Sequence, residues 1–200
     1  LASTPLAEPA GLLADRTTPI ILFDDVSTAT LDHGTELAAT NVAPDDEAII
    51  IYTSGTTGKP KGCLLTHGNL IANSRQITEW LGFGESDRLL TIMPLFHMNA
   101  VTVTTMTPLY SGGSTVVSPK FSASRFWDIV EEYKITSFGS VATMLSMLLS
   151  KSRESRVERI ESPVLSTLDS RAATLRFAMC GSAPVPAEVL KNFEETFGCL

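Results

Sequence analysis

The chain has 200 residues and a formal net charge of −7 at pH 7, and 44% of its residues are hydrophobic while 18% are charged. These values are typical of a globular α/β chain with one core; they argue against nucleic acid as a partner, and no apolar run approaches the roughly 20 residues that span a bilayer. Three cysteines, at positions 63, 180 and 199, lack metal-ligand spacing, so we expect reduced thiols and a cytoplasmic protein.

The first 44 residues show little periodicity and predict a connecting segment that enters from a preceding part of the same domain. Within them, residues 19–23 are a candidate short strand, and residues 1–9 lack the basic and apolar regions of a secretory signal. Because the chain begins with Leu1 rather than Met, we expect it to be an excerpt of a longer protein. Residues 45–200 are then an incomplete α/β subdomain.

Residues 49–66 read Ile-Ile-Ile-Tyr-Thr-Ser-Gly-Thr-Thr-Gly-Lys-Pro-Lys-Gly-Cys-Leu-Leu-Thr. The apolar runs at 49–52 and 63–65 have the continuous character of buried strands. The loop between them combines hydroxyl donors, glycines that let backbone approach a ligand, and lysines suited to phosphate. It differs from the P-loop of nucleotide triphosphatases, because Pro60 stands where a Ser or Thr is needed. The pattern predicts a polyphosphate cradle made of Thr53, Ser54, Gly55, Thr56, Thr57, Gly58 and Lys61.

Strand and helix patterns alternate after the cradle. We expect strands at 88–92, 114–118, 136–139 and 173–179. Helices are expected at 68–80 with Thr66 as cap, up to 110, up to 133 with Ser122 or Ser124 as cap, 141–149 and 187–197; residues 151–161 read as a charged connection. The alternation predicts an α/β fold with a mostly parallel sheet flanked by helices. Ligands bind beyond the carboxyl ends of such strands, where the loops 53–62, 94–99 and 181–184 are expected.

Three motifs carry a resemblance to a known family. The string Tyr-Thr-Ser-Gly-Thr-Thr-Gly-Lys-Pro-Lys-Gly at 52–62 resembles the AMP-binding signature of the adenylate-forming superfamily. Pro-Leu-Phe-His at 94–97 is similar to a motif of acyl- and aryl-CoA synthetases, whereas peptide-synthetase domains usually carry Phe-Asp-x-Ser there. Gly-Ser-Ala-Pro at 181–184 resembles the family's Gly-Gly-Ala-Pro or Gly-Ala-Ala-Pro, with Ser182 as a departure. Residues 121–133 look like the corresponding stretch of carnitine-type CoA ligases.

The resemblance implies part of the large N-terminal domain of an acyl-CoA synthetase, with roles for individual residues. It implies catalytic roles for His97 and Lys61, a CoA contact at Lys120 and a Mg²⁺ contact at Thr56, with a further metal-binding Glu expected beyond Leu200. The adenine site would be Gly181, Ser182, Ala183 and Pro184. The acyl pocket would include His97, Asn99 and Val103, and its small or aliphatic character favours an aliphatic acid over a charged one.

The implied reaction has two halves and uses ATP, Mg²⁺ and CoA. A carboxylic acid attacks the α-phosphorus of ATP to give acyl-AMP and pyrophosphate, and CoA then takes the acyl group. Because the first step joins two anions, charge neutralisation and in-line positioning must supply most of the acceleration. We expect the excerpt alone to be inactive.

Two other functions fit the same residues. An adenylating enzyme could pass its product to a carrier protein, or to oxygen as luciferases do. A nucleotide-binding module without catalysis is a third reading, from a different class of protein. Acyl-CoA formation by the intact protein distinguishes the first of these from the ligase, and continuation of the reading frame into Tyr-Gly-x-Thr-Glu would exclude the module.

Overall fold

A computed structural model describes residues 41–53, 59–159 and 172–199, with the side chains of 153–159 left aside. Several sequence predictions lie outside the described residues: the strand at 19–23, nearly all of the connecting segment 1–44, the end of the charged connection at 160–161 and the cradle residues Ser54, Gly55, Thr56, Thr57 and Gly58. The boundary placed between residues 44 and 45 stays a prediction.

The signature stretch forms an antiparallel hairpin of β1 (Glu47–Thr53) and β2 (Lys61–Thr66). The prediction that these strands are buried was wrong. Ile50 is 54% exposed, Tyr52 69% and Leu64 46%, and in the two strands only Ile51 falls among the buried apolar residues. The apolar run predicts strand correctly, but burial depends on what covers each face, and the two strands pair only with each other among the described residues.

The remaining elements alternate as the pattern predicts. In chain order they are α1 (His67–Leu81), β3 (Arg88–Thr91), a π-helix (Asn99–Met106), α2 (Thr107–Tyr110), β4 (Ser114–Val117), α3 (Phe126–Tyr133), β5 (Ser137–Ser140), α4 (Ala142–Arg159), β6 (Phe177–Cys180) and α5 (Ala187–Phe197). The last four strands form one parallel sheet in the order β4-β3-β5-β6. The prediction of a mostly parallel sheet flanked by helices is confirmed.

Helix ends show where local chemistry was interpreted correctly. Thr66 and Asn69 form a capping box at the start of α1, each side-chain oxygen accepting from the other's backbone N–H. Gly82 ends that helix with φ of 65°, a left-handed conformation that suits glycine. The predicted serine cap of α3 was wrong, because Ser122 and Ser124 bond to each other and Arg125 occupies the cap position.

Two boundaries also differ from the predictions. Helix α4 continues to Arg159, so most of the charged stretch after position 150 is helical rather than a connection. Strand β6 begins at Phe177, four positions later than expected, because residues 172–174 form a turn. In both cases the residues at the end of the element are polar, so the sequence pattern does not define where the element begins or ends.

The two faces of the sheet are packed differently, as alternation along β3 illustrates. Leu90 belongs to an apolar cluster with side chains of α3, α4 and α5, in which Phe126 and Phe138 lie 4.8 Å apart between ring centroids. On the other face, the Thr91 hydroxyl donates to the carbonyl of Thr104 in the π-helix at 3.0 Å. Within the described part of the chain, no helix has the length and apolar character needed to cross a bilayer.

Candidate functional site

One edge of the parallel sheet collects two of the three predicted loops. All four strands run in the same direction, so the segments after β3 and β6 leave from the same edge. These segments contain Pro94–Asn99 and Gly181–Pro184, and the segment after β4 contains Lys120. The third loop joins β1 to β2, outside this sheet, and its centre at 54–58 lies beyond what the structure describes.

The described ends of the cradle face each other across the mouth of the hairpin. Thr53 and Lys61 are paired in the β1–β2 register, and the Thr53 hydroxyl donates to the carbonyl of Lys61 at 3.4 Å. Both residues are exposed. Both side chains are therefore accessible at the mouth of the hairpin, where the Lys61 ammonium group can pair with an anionic ligand.

His97 lies in a turn that leads into the π-helix. Its backbone N–H donates to Pro94, and its own carbonyl accepts from Ala100 and Val101. The exposed imidazole packs against the Phe96 ring with centroids 4.6 Å apart. The backbone is thus fixed by hydrogen bonds while the ring remains exposed.

The π-helix was not foreseen from the sequence, which predicts an ordinary helix reaching residue 110. Hydroxyls bond back to its carbonyls, Thr102 to Met98 at 2.9 Å and Thr107 to Thr102 at 2.8 Å. The signal was the concentration of threonines between 102 and 107. Segments of π-helix are often found at functional sites, and this one begins at Asn99.

A groove of about 610 Å³ runs between α1 and the π-helix, and we call it the amide groove. It contains Asn99 and Val103, both predicted for the acyl pocket, and also Asn69 and Asn73 from α1. No sequence motif predicts a role for the two α1 asparagines. Their spacing of four residues, which places both on one helix face, was the available signal.

A second groove of about 490 Å³ lies at the sheet edge, and we call it the Lys120 groove. It is lined by residues that follow β3 and β4, including Pro94 and Lys120, and by Met144 from α4. Met144 thus lines this groove, whereas Asn99 and Val103 line the amide groove. Lys120 is the only cationic residue among the described residues lining this groove.

The predicted adenine loop is open and shaped by its backbone. The N–H of Gly181 donates to the carbonyl of Ser140 at 3.3 Å, which ties the loop to the end of β5. Ser182, Ala183 and Pro184 are exposed. Ser182 has φ of 71°, a left-handed conformation that favours glycine, which explains physically why glycine suits this position in the resembling motif.

The described residues contain no group of three His, Cys, Asp or Glu side chains that could hold a metal ion. Thr56, the residue predicted to contact Mg²⁺, lies outside them.

Among the carboxylates that the structure describes, Asp87 has the pKa most strongly affected by its surroundings, but it lies away from the candidate site. Burial by itself would raise the pKa of Asp87, yet hydrogen bonds from Arg176, the Gly84 N–H and Thr136, together with the Arg176 charge, hold that pKa below its usual value. These partners precede the strands, so the pair sits at the amino edge of the sheet. We interpret it as a structural tie between strands.

The three thiols differ in exposure. Cys63 on β2 is exposed, Cys180 is half-buried and Cys199 is buried. Burial raises the pKa of Cys199 to about 11, and the nearby charge of Glu194 adds to the effect. None of the three is disulfide-bonded.

Comparison with known proteins decides the family. A model of the AMP-binding enzyme family matches residues 4–200. The chain belongs to this family. A sulfoacetate–CoA ligase of Cupriavidus necator is 38% identical over 155 residues, which cover 78% of this chain and 28% of the ligase. An indoleacetate–CoA ligase of Aromatoleum aromaticum is 33% identical over 151 residues, covering 76% and 27% of the two chains.

Solved structures agree with these relatives. ATP-bound MatB from Rhodopseudomonas palustris matches with a TM-score of 0.66 and 29% identity over 82% of this chain and 29% of MatB. The resemblance to the CoA ligase branch of the adenylate-forming superfamily is confirmed. The chain spans less than a third of the length of these relatives.

Proposed function

We propose that the intact protein carrying this chain is an ATP-dependent acid–thiol ligase, which converts a carboxylic acid to acyl-AMP and then to acyl-CoA. The observation that carries the proposal is the match to the AMP-binding family over residues 4–200, with CoA ligases among the similar proteins. The common edge shared by the loops after β3 and β6 supports it, because it is where parallel sheets bind ligands.

The cradle acts in the first half-reaction. Thr53 and Lys61 flank the signature loop, and with Ser54, Thr56 and Thr57 they would hold the β- and γ-phosphates of ATP. Each hydrogen bond to a charged oxygen is worth on the order of 1.5–3 kcal/mol. The substrate carboxylate forms the new O–P bond as the bond to pyrophosphate breaks, so fixing the leaving group in line lowers the barrier.

His97 and the loop after β6 complete the adenylation site. Gly181, Ser182, Ala183 and Pro184 offer a small-residue surface, exposed at the last three positions, on which an adenine ring can lie against backbone. The His97 imidazole, accessible and backed by Phe96, would donate a hydrogen bond to the acid's carboxylate and orient it toward phosphorus.

The second half-reaction forms the thioester. The CoA sulfur attacks the acyl carbon, the C–O bond to AMP breaks, and the thiol proton passes to solvent. Lys120 lies in a largely apolar groove at the sheet edge, where an ammonium group would pair with a CoA phosphate and the apolar walls would cover the rest of the cofactor. This supports Lys120 as a CoA contact.

The proposal includes Mg²⁺ because the polyphosphate of ATP is highly charged. When bound, the ion would neutralise part of that charge, with Thr56 as its contact from this chain. The residues of the chain would still bind and orient the phosphates by the hydrogen bonds described above.

The experiment is ATP–pyrophosphate exchange by the intact protein with a panel of carboxylic acids, followed by an assay for acyl-CoA. At least one acid should promote exchange, and CoA should then be consumed. Lys61→Ala should lower exchange about a hundredfold because it removes a charge from the cradle, whereas Lys191→Ala on α5 should not. A folded protein that exchanges with no acid would overturn the proposal. Exchange without acyl-CoA would instead indicate another acceptor.

A further inference from the structure

We propose that the amide groove selects an acid whose far end carries an uncharged hydrogen-bonding group, such as a hydroxyl, in preference to a second anion or a plain methyl end. The inference rests on the proposed ligase function and adds the class of substrate. It depends on the absence of charge among the described residues of the groove, on which amide atoms already have hydrogen-bond partners, and on the position of Asn99.

The described residues that line the amide groove carry no charge. Its walls combine apolar side chains such as Leu65 with the amides of Asn69, Asn73 and Asn99 and the hydroxyl of Thr102. Its volume of about 610 Å³ lies within the range of small-molecule pockets. A second carboxylate or a sulfonate drawn into this groove would lose hydration without meeting a cation, which is costly.

Part of the polar lining is already used within the protein. The Thr102 hydroxyl donates to the carbonyl of Met98, and the Asn69 amide oxygen accepts from the backbone N–H of Thr66. What these groups leave for a ligand is the amide nitrogen of Asn69, together with Asn73 and Asn99. Asn69 and Asn99 can then only donate to a ligand, whereas Asn73 can donate and accept, so this set fits a hydroxyl or carbonyl group better than an alkyl end.

Asn99 is held in an unusual position. Its amide oxygen is buried and has no hydrogen-bond partner among the described residues. It packs over Gly139 so closely that a Cβ at that position would clash with the oxygen. A buried acceptor without a partner is unfavourable, so this oxygen adds no hydrogen bond to the stability of the fold. With its oxygen against Gly139, the end left for a ligand in the groove is the amide nitrogen.

The test compares acids of equal length that differ only at the far end. Acids of four, six and eight carbons ending in a methyl, hydroxyl or carboxylate group are assayed by pyrophosphate exchange with the intact protein. We expect kcat/KM for the best hydroxy acid to exceed that of its methyl and carboxylate counterparts by about tenfold. An equal or better carboxylate-ended acid would overturn the inference.

Two variants test whether the preference for hydroxyl-ended acids comes from the amide groove. Asn99→Leu keeps the branched shape and removes the amide, so the preference for hydroxyl over methyl should fall about tenfold, mainly through a higher KM for the hydroxy acid. Gln76→Leu removes an exposed amide of α1 outside the groove and should keep the preference. An unchanged preference in folded Asn99→Leu would overturn the inference; if that variant does not fold, the wild-type ratios decide.

The failure of this inference is distinguishable from failure of the proposed function. If the protein activates acids without favouring the hydroxyl-ended ones, the ligase function stands and the substrate class is wrong. If it activates no acid at all, both are overturned.

Discussion

The hairpin and the parallel sheet are built from similar residues but have opposite environments. Ile50 and Leu64 in the hairpin are 54% and 46% exposed, whereas Leu89 and Leu90 in β3 are fully buried. The sheet is covered by α3, α4 and α5 on one face and by the π-helix on the other. A strand-forming sequence therefore does not determine how deeply the strand is buried or how much it stabilises the fold. Both depend on the neighbouring elements.

The difference separates structure from chemistry. Pairing in the sheet fixes the positions of the strand ends. The Pro94–Asn99 and Gly181–Pro184 segments leave from those ends. The hairpin contributes exposed side chains at its mouth, including Thr53 and Lys61. We expect changes in the sheet to affect folding first and changes in the hairpin to affect ligand binding first.

The largest expected effect comes from making the same substitution in both regions. Leu90→Ala in β3 should lower the free energy of unfolding by about 2–5 kcal/mol, because it opens a cavity in the apolar cluster. Leu64→Ala in β2 should change it by less than about 1 kcal/mol, because its side chain is half exposed. Urea unfolding followed by circular dichroism measures both. Equal losses would show that the hairpin is covered in solution.

The reactivity of the cysteines also tests the difference in exposure between the hairpin and the buried cluster. Cys63 lies exposed on the hairpin, whereas Cys199 is buried in the apolar cluster with its pKa raised to about 11. At pH 8 about one Cys199 thiol in a thousand is ionised, and only the thiolate reacts. Alkylation by iodoacetamide, followed by peptide mass spectrometry, should modify Cys63 more than a hundredfold faster. Comparable rates would contradict the burial of Cys199.

Much of the fold could be predicted from local pattern. Helix α1 could be predicted because its cap residue, Thr66, directly precedes it in the sequence. The parallel sheet followed from alternation of strands and helices. The exposure of the hairpin could not be predicted, since it depends on residues far away in sequence. The π-helix was missed because its threonines bond to carbonyls in a way that helical periodicity does not reveal.

Individual segments of the candidate site could be predicted from the sequence, but their arrangement in space could not. The loops after β3 and β6 were expected at one sheet edge, and they leave from one edge. The grouping of Asn69, Asn73 and Asn99 was not expected, because the two α1 residues and Asn99 are joined only by packing of two helices. The roles of His97 and Lys120 stay predictions that the assays above address.

Within the sheet, a smaller effect is expected from the pair at its amino edge. Asp87→Asn should lower the free energy of unfolding at pH 7 by about 1–3 kcal/mol, because Arg176 and Thr136 lose a charged acceptor. The pKa of Asp87 is lower in the folded chain than its ordinary 3.8. Its stabilisation is therefore complete above about pH 5 and is lost as the pH falls through the folded value.

Urea unfolding from pH 7 to pH 2.5 measures this contribution as the difference between wild type and Asp87→Asn. The matched control is Glu79→Gln, which removes the carboxylate of an exposed pair with Arg75 at 3.9 Å. That variant should differ from wild type by less than about 0.5 kcal/mol. A difference for Asp87→Asn that stays constant down to pH 2.5 would be inconsistent with a lowered pKa.

The smallest expected effect concerns the loop after β6, where the sheet meets the candidate site. Ser182 holds φ of 71°, which disfavours any side chain with a Cβ. Ser182→Gly should stabilise the fold by up to about 1 kcal/mol, reduced by the greater freedom of glycine in the unfolded chain. Ser182→Val should destabilise it, because a β-branched residue is least suited to this conformation. Thermal unfolding compares the three proteins, and a valine variant as stable as the glycine variant would show that the loop adopts another conformation in solution.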